Sequence, residues 1–247
     1  MPISTGLSTY VIVPCYNEEF RLDIDYWNEL ISKFDYNWIF VNDGSTDQTK
    51  KKLDEISGVK ILELTQNSGK AEAIRFGVNH IIENHKDLNF ILAYIDSDGA
   101  FDLKDISRNF EIFSQKALQE SYETVWATRV ALSGRKINRS SARHYISRII
   151  ISLIGLKFRN LPYDPQTGFK IFMMNKDLRN IFEKEFKTRW FFDIEIINRF
   201  KANSGKEIKI WEEPVNFWKD VNGSKLNFKQ YIRVLMELLI VLFVIKK

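Results

Sequence analysis

Two carboxylates separated by a single residue, Asp96 and Asp98, close an apolar run in the segment FILAYIDSDGAFDL at residues 90–103. Acids at i and i+2 can converge where a buried strand opens into a turn. Held close, they repel one another unless a cation lies between or beside them. Hard carboxylate oxygens suit Mg²⁺ or Mn²⁺, which keep several waters and complete their shell with a substrate's phosphate oxygens. Asp96 and Asp98 are therefore candidate metal ligands and candidate catalytic residues; the competing reading is a polar turn after a strand. A second signal lies in TQNSGKAEAIRF, where Gly69 and Lys70 open a helical pattern. Backbone N–H groups and the dipole at such an end favour anions. Both signals point to a phosphate-bearing ligand.

The elements that must position these residues are legible as alternation. YVIVP, WIFVN, VKILEL, FILAYI and YETVWAT are short β-rich runs separated by helical patterns. That order predicts an α/β domain built on a mostly parallel sheet with helices on both faces. Ligands in such sheets bind beyond the carboxyl ends of the strands. The first four runs are followed there by CYNEE, DGSTD, TQNSGK and DSDG, which predicts four polar loops on one rim. Later, residues 140–156 form a helical pattern with a broad apolar side and with Arg143 and Arg148 on the remaining surface, suiting either a core helix or an amphipathic helix at a membrane interface. DPQTGFKIF and EIKIWEEPVNFW read as strands, and WFFDIEIINRFKA as a helix. Ten of the eleven residues from Leu235 to Ile245 are apolar, interrupted only by Glu237. A bilayer span needs roughly 20, so this segment is expected to pack or to lie in an interface. The expected division is one catalytic domain over 1–227 and an interfacial apolar helix over 228–247.

Bulk composition narrows the function classes. Of 247 residues, 36 are Lys or Arg and 32 Asp or Glu, a net charge of +4 that suits anionic ligands or an acidic membrane surface. Finger spacings, aromatic RNA-binding signatures and long basic tails are missing, so nucleic acid is not an expected partner. Cys15 is the sole cysteine, which rules out an internal disulfide or a cysteine-based zinc cluster. No motif links it to His80, His85 or His144, so it reads as a small buried residue and not a nucleophile. The N-terminal MPISTGLSTYVIVP has no secretory pattern, so the catalytic body is expected to stay where it is made. Oligomeric state is not readable from the sequence.

VIVPCYNEE, FVNDGSTDQT, NSGKAEAIRFG, YIDSDGA and DPQTGFKIF, in this order and spacing, resemble the family 2 inverting glycosyltransferases of the GT-A (Rossmann-like) fold. RWFFDIEII and EEPVNFWKDVNGSKLN look like the branch of dolichyl-phosphate glucosyltransferases and dolichyl-phosphate mannose synthases. The resemblance implies hexose transfer, glucose from UDP-glucose above other donors, from a nucleotide-diphosphate sugar to a polyprenyl phosphate with inversion. It implies Mg²⁺ or Mn²⁺ at Asp96 and Asp98; relatives often add two membrane spans, and the short apolar segment here leads us to expect either peripheral attachment to the cytoplasmic face of a membrane or spans supplied by a partner. Pro14, Tyr16, Asn17, Glu18 and Asp43 would then serve the nucleoside, Asp43 meeting the base. Gly69, Lys70, Arg75 and Asp96 would complete the nucleotide-sugar site. Two positions depart from the family pattern: Asn42 replaces the first of two acids, and Ala100 stands where some relatives place a metal-binding Gln. NDGSTD also reads as a turn with a helix N-cap at Ser45 or Thr46.

The acceptor separates the competing functions. A sugar hydroxyl needs a general base, whereas a phosphate monoester, with a second pKa of about 6, is already nucleophilic at neutral pH. Arg129, Arg143 and Lys225 match basic positions of the lipid-phosphate branch, and Arg129 joins Asp96, Asp98 and Asp193 among the catalytic candidates. For a hydroxyl acceptor in polysaccharide synthesis the bases would be Asp164, Asp193 or Glu195; otherwise those acids hold loops or basic side chains. A non-catalytic nucleotide-sugar-binding protein is the third reading, opposed by the intact Asp43, Lys70, Asp96 and Asp98.

Overall fold

The structure is a computed structural model that describes residues 6–85, 89–219, 221 and 228–245. Its strands are β1 (Thr9–Cys15), β2 (Asn37–Asp43), β3 (Lys60–Leu64), β4 (Phe90–Ile95), β5 (Thr124–Thr128), β6 (Lys136–Asn138), β7 (Phe169–Met174), β8 (Ile210–Pro214) and β9 (Phe217–Lys219). Seven of them form one sheet in the order β3-β2-β1-β4-β7-β5-β8. β1 to β4 are parallel, with Ile12 beside Ile39 on one side and beside Tyr94 on the other. The departure from an all-parallel sheet is β7, which enters antiparallel between β4 and β5, placing Lys170 beside both Tyr94 and Trp126. β5, antiparallel to β7, therefore runs along β4 and opens on the same rim. β6 and β9 form a separate parallel pair.

The helices are α1 (Ile24–Lys33), α2 (Thr49–Leu53), α3 (Lys70–Asn84), α4 (Leu103–Gln119), α5 (Ser141–Lys157), α6 (Lys176–Glu183), α7 (Phe192–Ser204) and α8 (Phe228–Leu239), the last running into a π-helical turn, Ile240–Val244. Asp23, Asp102 and Asn175 cap α1, α4 and α6 by accepting from backbone N–H groups two or three residues on. Side chains alternate across each strand, so a strand buried on both faces reads as a continuous apolar run. Val11, Val13 and Phe40 pack with Trp27 of α1 and Phe110 of α4. Ile12, Ile39 and Val41 face the other way, onto Ile74 and Val78 of α3.

A third cluster joins Ile151 and Ile154 of α5 to Leu238 and Val241 at the C-terminal end. The Lys157 ammonium fastens it, donating to the carbonyls of Leu242 (2.8 Å), Val241 (3.2 Å) and Ile245. The apolar C-terminal segment is thus a packing element on one side, while Leu235, Met236 and Phe243 stay exposed, as do Ile149 and Leu156 of α5. Among the described residues no helix is long and apolar enough to cross a membrane. Arg148 is not simply solvated: its guanidinium lies 4.0 Å above the Tyr163 ring and donates to the Tyr163 carbonyl.

Candidate active site

The rim at the carboxyl ends of β1, β2 and β4 is built loop on loop. After β1, Asn17 adopts a left-handed conformation, φ 52°, which Asn tolerates better than most residues. Its N–H donates to Ser45 Oγ (3.1 Å), its Oδ1 accepts from the Thr46 N–H (2.9 Å), and the Glu18 N–H donates to Thr49 Oγ1 (2.7 Å). Ser45 and Thr46 therefore staple two loops together and do not cap a helix; α2 starts later, at Thr49. Pro14 pairs opposite Val41 one residue before β1 ends at Cys15, and Tyr16, 42% exposed, follows beside these loops.

Asp43 ends β2 and is 2% exposed. It accepts from the N–H groups of Ser68 and Gly69, both at 2.7 Å, and from Asn67 Nδ2 at 3.1 Å. Burial raises its pKa against these hydrogen bonds. The carboxylate that the resemblance assigns to the base is thus the anchor of the 67–69 loop. Gly69 has φ 98°, and a Cβ there would stand 2.7 Å from Arg189 Cδ, so only glycine lets that arginine lie across the turn. Arg189 Nη1 donates to Asn67 Oδ1 at 2.9 Å.

Lys70 begins α3 and reaches Asp96, Nζ to Oδ1 2.5 Å. The Asp96 N–H donates to the Gly168 carbonyl at 3.0 Å, and its carboxylate fills the space a Cβ on Gly168 would take. Asp98 turns back to accept from the Ala100 N–H (3.2 Å), and the Trp27 indole donates to the intervening Ser97 carbonyl (3.0 Å). Burial, and then the charge on Asp96, raise the Asp98 pKa. Nearby, Glu18 pairs with Arg21, and its Oε2 is buried without a hydrogen-bond partner. Burial pushes the Glu18 carboxyl up to about 7, with Arg21 opposing and Asp98 and Asp96 adding to the rise. Such an acid-rich pocket with one orphaned carboxylate oxygen fits a hard divalent cation, for which Asp96 and Asp98 would be the protein ligands. Three or more grouped metal-ligating side chains do not occur among the described residues, so a cation here would complete its shell with water and phosphate oxygens.

Arg129, just beyond β5, shares the rim. Its guanidinium makes a two-pronged pair with Asp164, at 2.7 and 2.8 Å, and lies 5.0 Å from the Trp218 ring. Although burial would raise the Asp164 pKa, the Arg129 guanidinium beside it holds it well below the ordinary carboxylate range. One loop, 164–168, therefore grips Arg129 at one end and Asp96 at the other.

The other acids are committed inside the protein. Asp193, 3% exposed, pairs with the fully buried Lys170 at 3.0 Å and accepts from the Tyr94 hydroxyl. Lys170 also donates to the Thr167 carbonyl (2.7 Å), and burial lowers its pKa to about 8 against the pull of Asp193. Glu195 accepts from the Thr188 N–H (2.8 Å), the Thr188 hydroxyl (2.7 Å) and Arg199. Arg75 pairs with Glu72 and donates to the Glu183 carbonyl at the end of α6. Lys225 and the side chain of Arg143 lie outside the described residues. Arg21, Lys170 and Arg189 are among the charged residues that the sequence motifs did not single out; Lys170, a lone cation inside the apolar FKIF strand, carried a visible signal.

The fold matches that of solved glucosyl-3-phosphoglycerate synthase from Mycobacterium tuberculosis. With its complex containing Mg²⁺ and UDP the TM-score is 0.64 at 15% identity, covering 97% of this chain and 79% of that one. With its complex containing Mn²⁺, UDP-glucose and glycerol 3-phosphate it is 0.64 at 16%, covering 97% and 80%. At such identity the likeness is one of fold, and the fold is that of the GT-A class. Residues 10–183 match glycosyl transferase family 2, and the chain belongs to that family, as its motifs led us to expect. Among its relatives, the dolichyl-phosphate beta-glucosyltransferase of Dictyostelium discoideum is 32% identical over 237 residues, 88% of this chain and 68% of that one. The human enzyme of the same name is 30% identical over 241 residues, covering 87% and 68%.

Proposed function

We propose that the protein transfers glucose from UDP-glucose to dolichyl phosphate or a related polyprenyl phosphate, with inversion, at the cytoplasmic face of a membrane. The names of the relatives support the sugar, the lipid and the beta product. One observation favours a phosphate acceptor over a hydroxyl: Asp164, Asp193 and Glu195, the acids a hydroxyl would need as base, are each 3% exposed or less and bound to cations or N–H groups. A phosphate oxygen needs no such base. It attacks the anomeric carbon, the bond from that carbon to the diphosphate oxygen breaks, and UDP leaves with the electron pair. Lys70 and the N–H groups opening α3 favour the diphosphate's charge. Arg129, oriented by Asp164, serves the acceptor side with Arg143 and Lys225. Mg²⁺ or Mn²⁺ held by Asp96 and Asp98 would act as a Lewis acid on the leaving diphosphate. The exposed apolar residues of α5 and α8 suit a lipid surface that holds the acceptor's tail.

The test supplies the full chain with UDP-glucose, Mn²⁺ and a short-chain polyprenyl phosphate, following the product by mass spectrometry and phosphorus NMR. A β-glucosyl phosphodiester, lost on chelation, is expected. Transfer to a sugar hydroxyl but not to phosphate would overturn the assignment.

A further inference from the structure

Glu237 is the only acid in the apolar C-terminal run, and solvation does not explain it: the residue is 5% exposed. Its Oε2 accepts from the backbone N–H groups of Arg189 (3.0 Å) and Trp190 (2.8 Å). These sit in the turn that leads into α7, whose own N-cap residue, Phe191, offers no side-chain acceptor. Glu237 thus supplies, from another helix, the anion that a helix start attracts. The same turn sends the Arg189 side chain across Gly69 to Asn67, and Asn67, Ser68 and Gly69 are the donors to Asp43. A chain of direct contacts therefore runs from the exposed α8 to the loop that opens α3.

We propose that Glu237 is a positioning residue for donor binding: it fixes the 189–191 turn so that Arg189 holds the 67–69 loop in its nucleotide-binding shape, coupling the seating of α8 to the donor site. The inference rests on reading that loop as part of the donor site. Losing a charge-assisted acceptor frees the turn, and the effect on nucleotide must pass through Arg189. A double-mutant cycle isolates such a path.

The experiment measures UDP affinity by calorimetry in Mn²⁺ for the full chain and for Glu237→Ala, Glu237→Gln, Arg189→Ala and the Glu237→Ala/Arg189→Ala double variant. Glu237→Ala is expected to weaken UDP by about tenfold, ~1.4 kcal/mol. Glu237→Gln, which keeps an acceptor oxygen, should recover most of that loss. In the Arg189→Ala background the Glu237 substitution should cost nothing more. Should Glu237→Ala not fold, Glu237→Asp, which withdraws the carboxylate by one bond, takes its place with the same expectation. Wild-type affinity in the folded Glu237 variant, or a full additional loss in the double variant, would overturn the inference alone. Failure of the wild-type chain to bind UDP would overturn the donor-site reading and this inference with it.

Discussion

Replacing Gly168 with alanine tests the geometry of the acid pair directly. The new Cβ would stand 1.9 Å from Asp96 Oδ2 and 2.3 Å from its Cγ, where real contacts essentially never come below 3.0 Å. The carboxylate would have to retreat by about 1.1 Å, the difference between 3.0 and 1.9 Å. The backbone cannot simply slide apart to relieve the clash, because the Asp96 N–H is bonded to the Gly168 carbonyl. Retreat also shifts the carboxylate whose Oδ1 pairs with Lys70. A misplacement of ~1 Å at reacting groups costs on the order of 10²-fold in rate, while one added methyl in a packed site costs about 1–3 kcal/mol of stability. Glucosyl transfer by Gly168→Ala should therefore fall by about 10²-fold at temperatures where circular dichroism shows it folded, and its half-saturation by Mn²⁺ should rise. A folded variant with wild-type turnover and Mn²⁺ dependence would refute the reasoning.

Lys170→Met leaves Asp193 buried without its cation and should lower stability by about 3–5 kcal/mol, read from denaturant unfolding; Lys170→Met/Asp193→Asn should recover part of it. A loss below ~1 kcal/mol in the single variant would show that the pair is not what holds this region. Glu18, whose folded pKa of about 7 lies above the ordinary carboxylate value, binds protons more readily folded than unfolded, so its contribution to stability is full below about pH 4.5 and is lost as pH rises through 7. Thermal melts without metal should accordingly show the wild type losing ground to Glu18→Gln as pH rises across that window; a constant gap would count against the buried-acid assignment. Glu substitution at Leu156 or Phe243, 85% and 79% exposed, should weaken binding to anionic vesicles at least tenfold without shifting the melting temperature. Unchanged vesicle binding would remove this face from the membrane reading.

Much of the frame was legible because strands buried on both faces announce themselves as apolar runs, and the polar segments after them mark the rim. The direction of β7 was not: FKIF has the same composition whichever way it runs, and only pairing with both β4 and β5 decides it. Asp96, Asp98 and Lys70 stood out because each sits where a strand ends or a helix begins, a placement that is local in sequence; that Lys70 meets Asp96 is set by the sheet. For Asp193 and Glu195 the sequence left two readings open, a base or a holder of loops and basic side chains, because burial and a partner remote in sequence, such as Lys170, cannot be read from an acid's neighbours.

The insertion of β7 also orders the birth of the molecule. As the chain emerges from its N-terminus, β1 to β4 can pair among themselves, but the far edge of β4 waits for Phe169–Met174, and both neighbours of β5 lie later in the chain. A half-built sheet with an open apolar edge is an invitation to aggregate. We predict that in nascent chains of increasing length the amides of β1 and β4 gain protection from hydrogen exchange before those of β5, and labelling of chains arrested short of residue 169 that found all three protected together would reject this order. The loop that joins Asp96 to Arg129 would then be among the last parts to form, so a nascent chain could not acquire a working site before its sheet is closed.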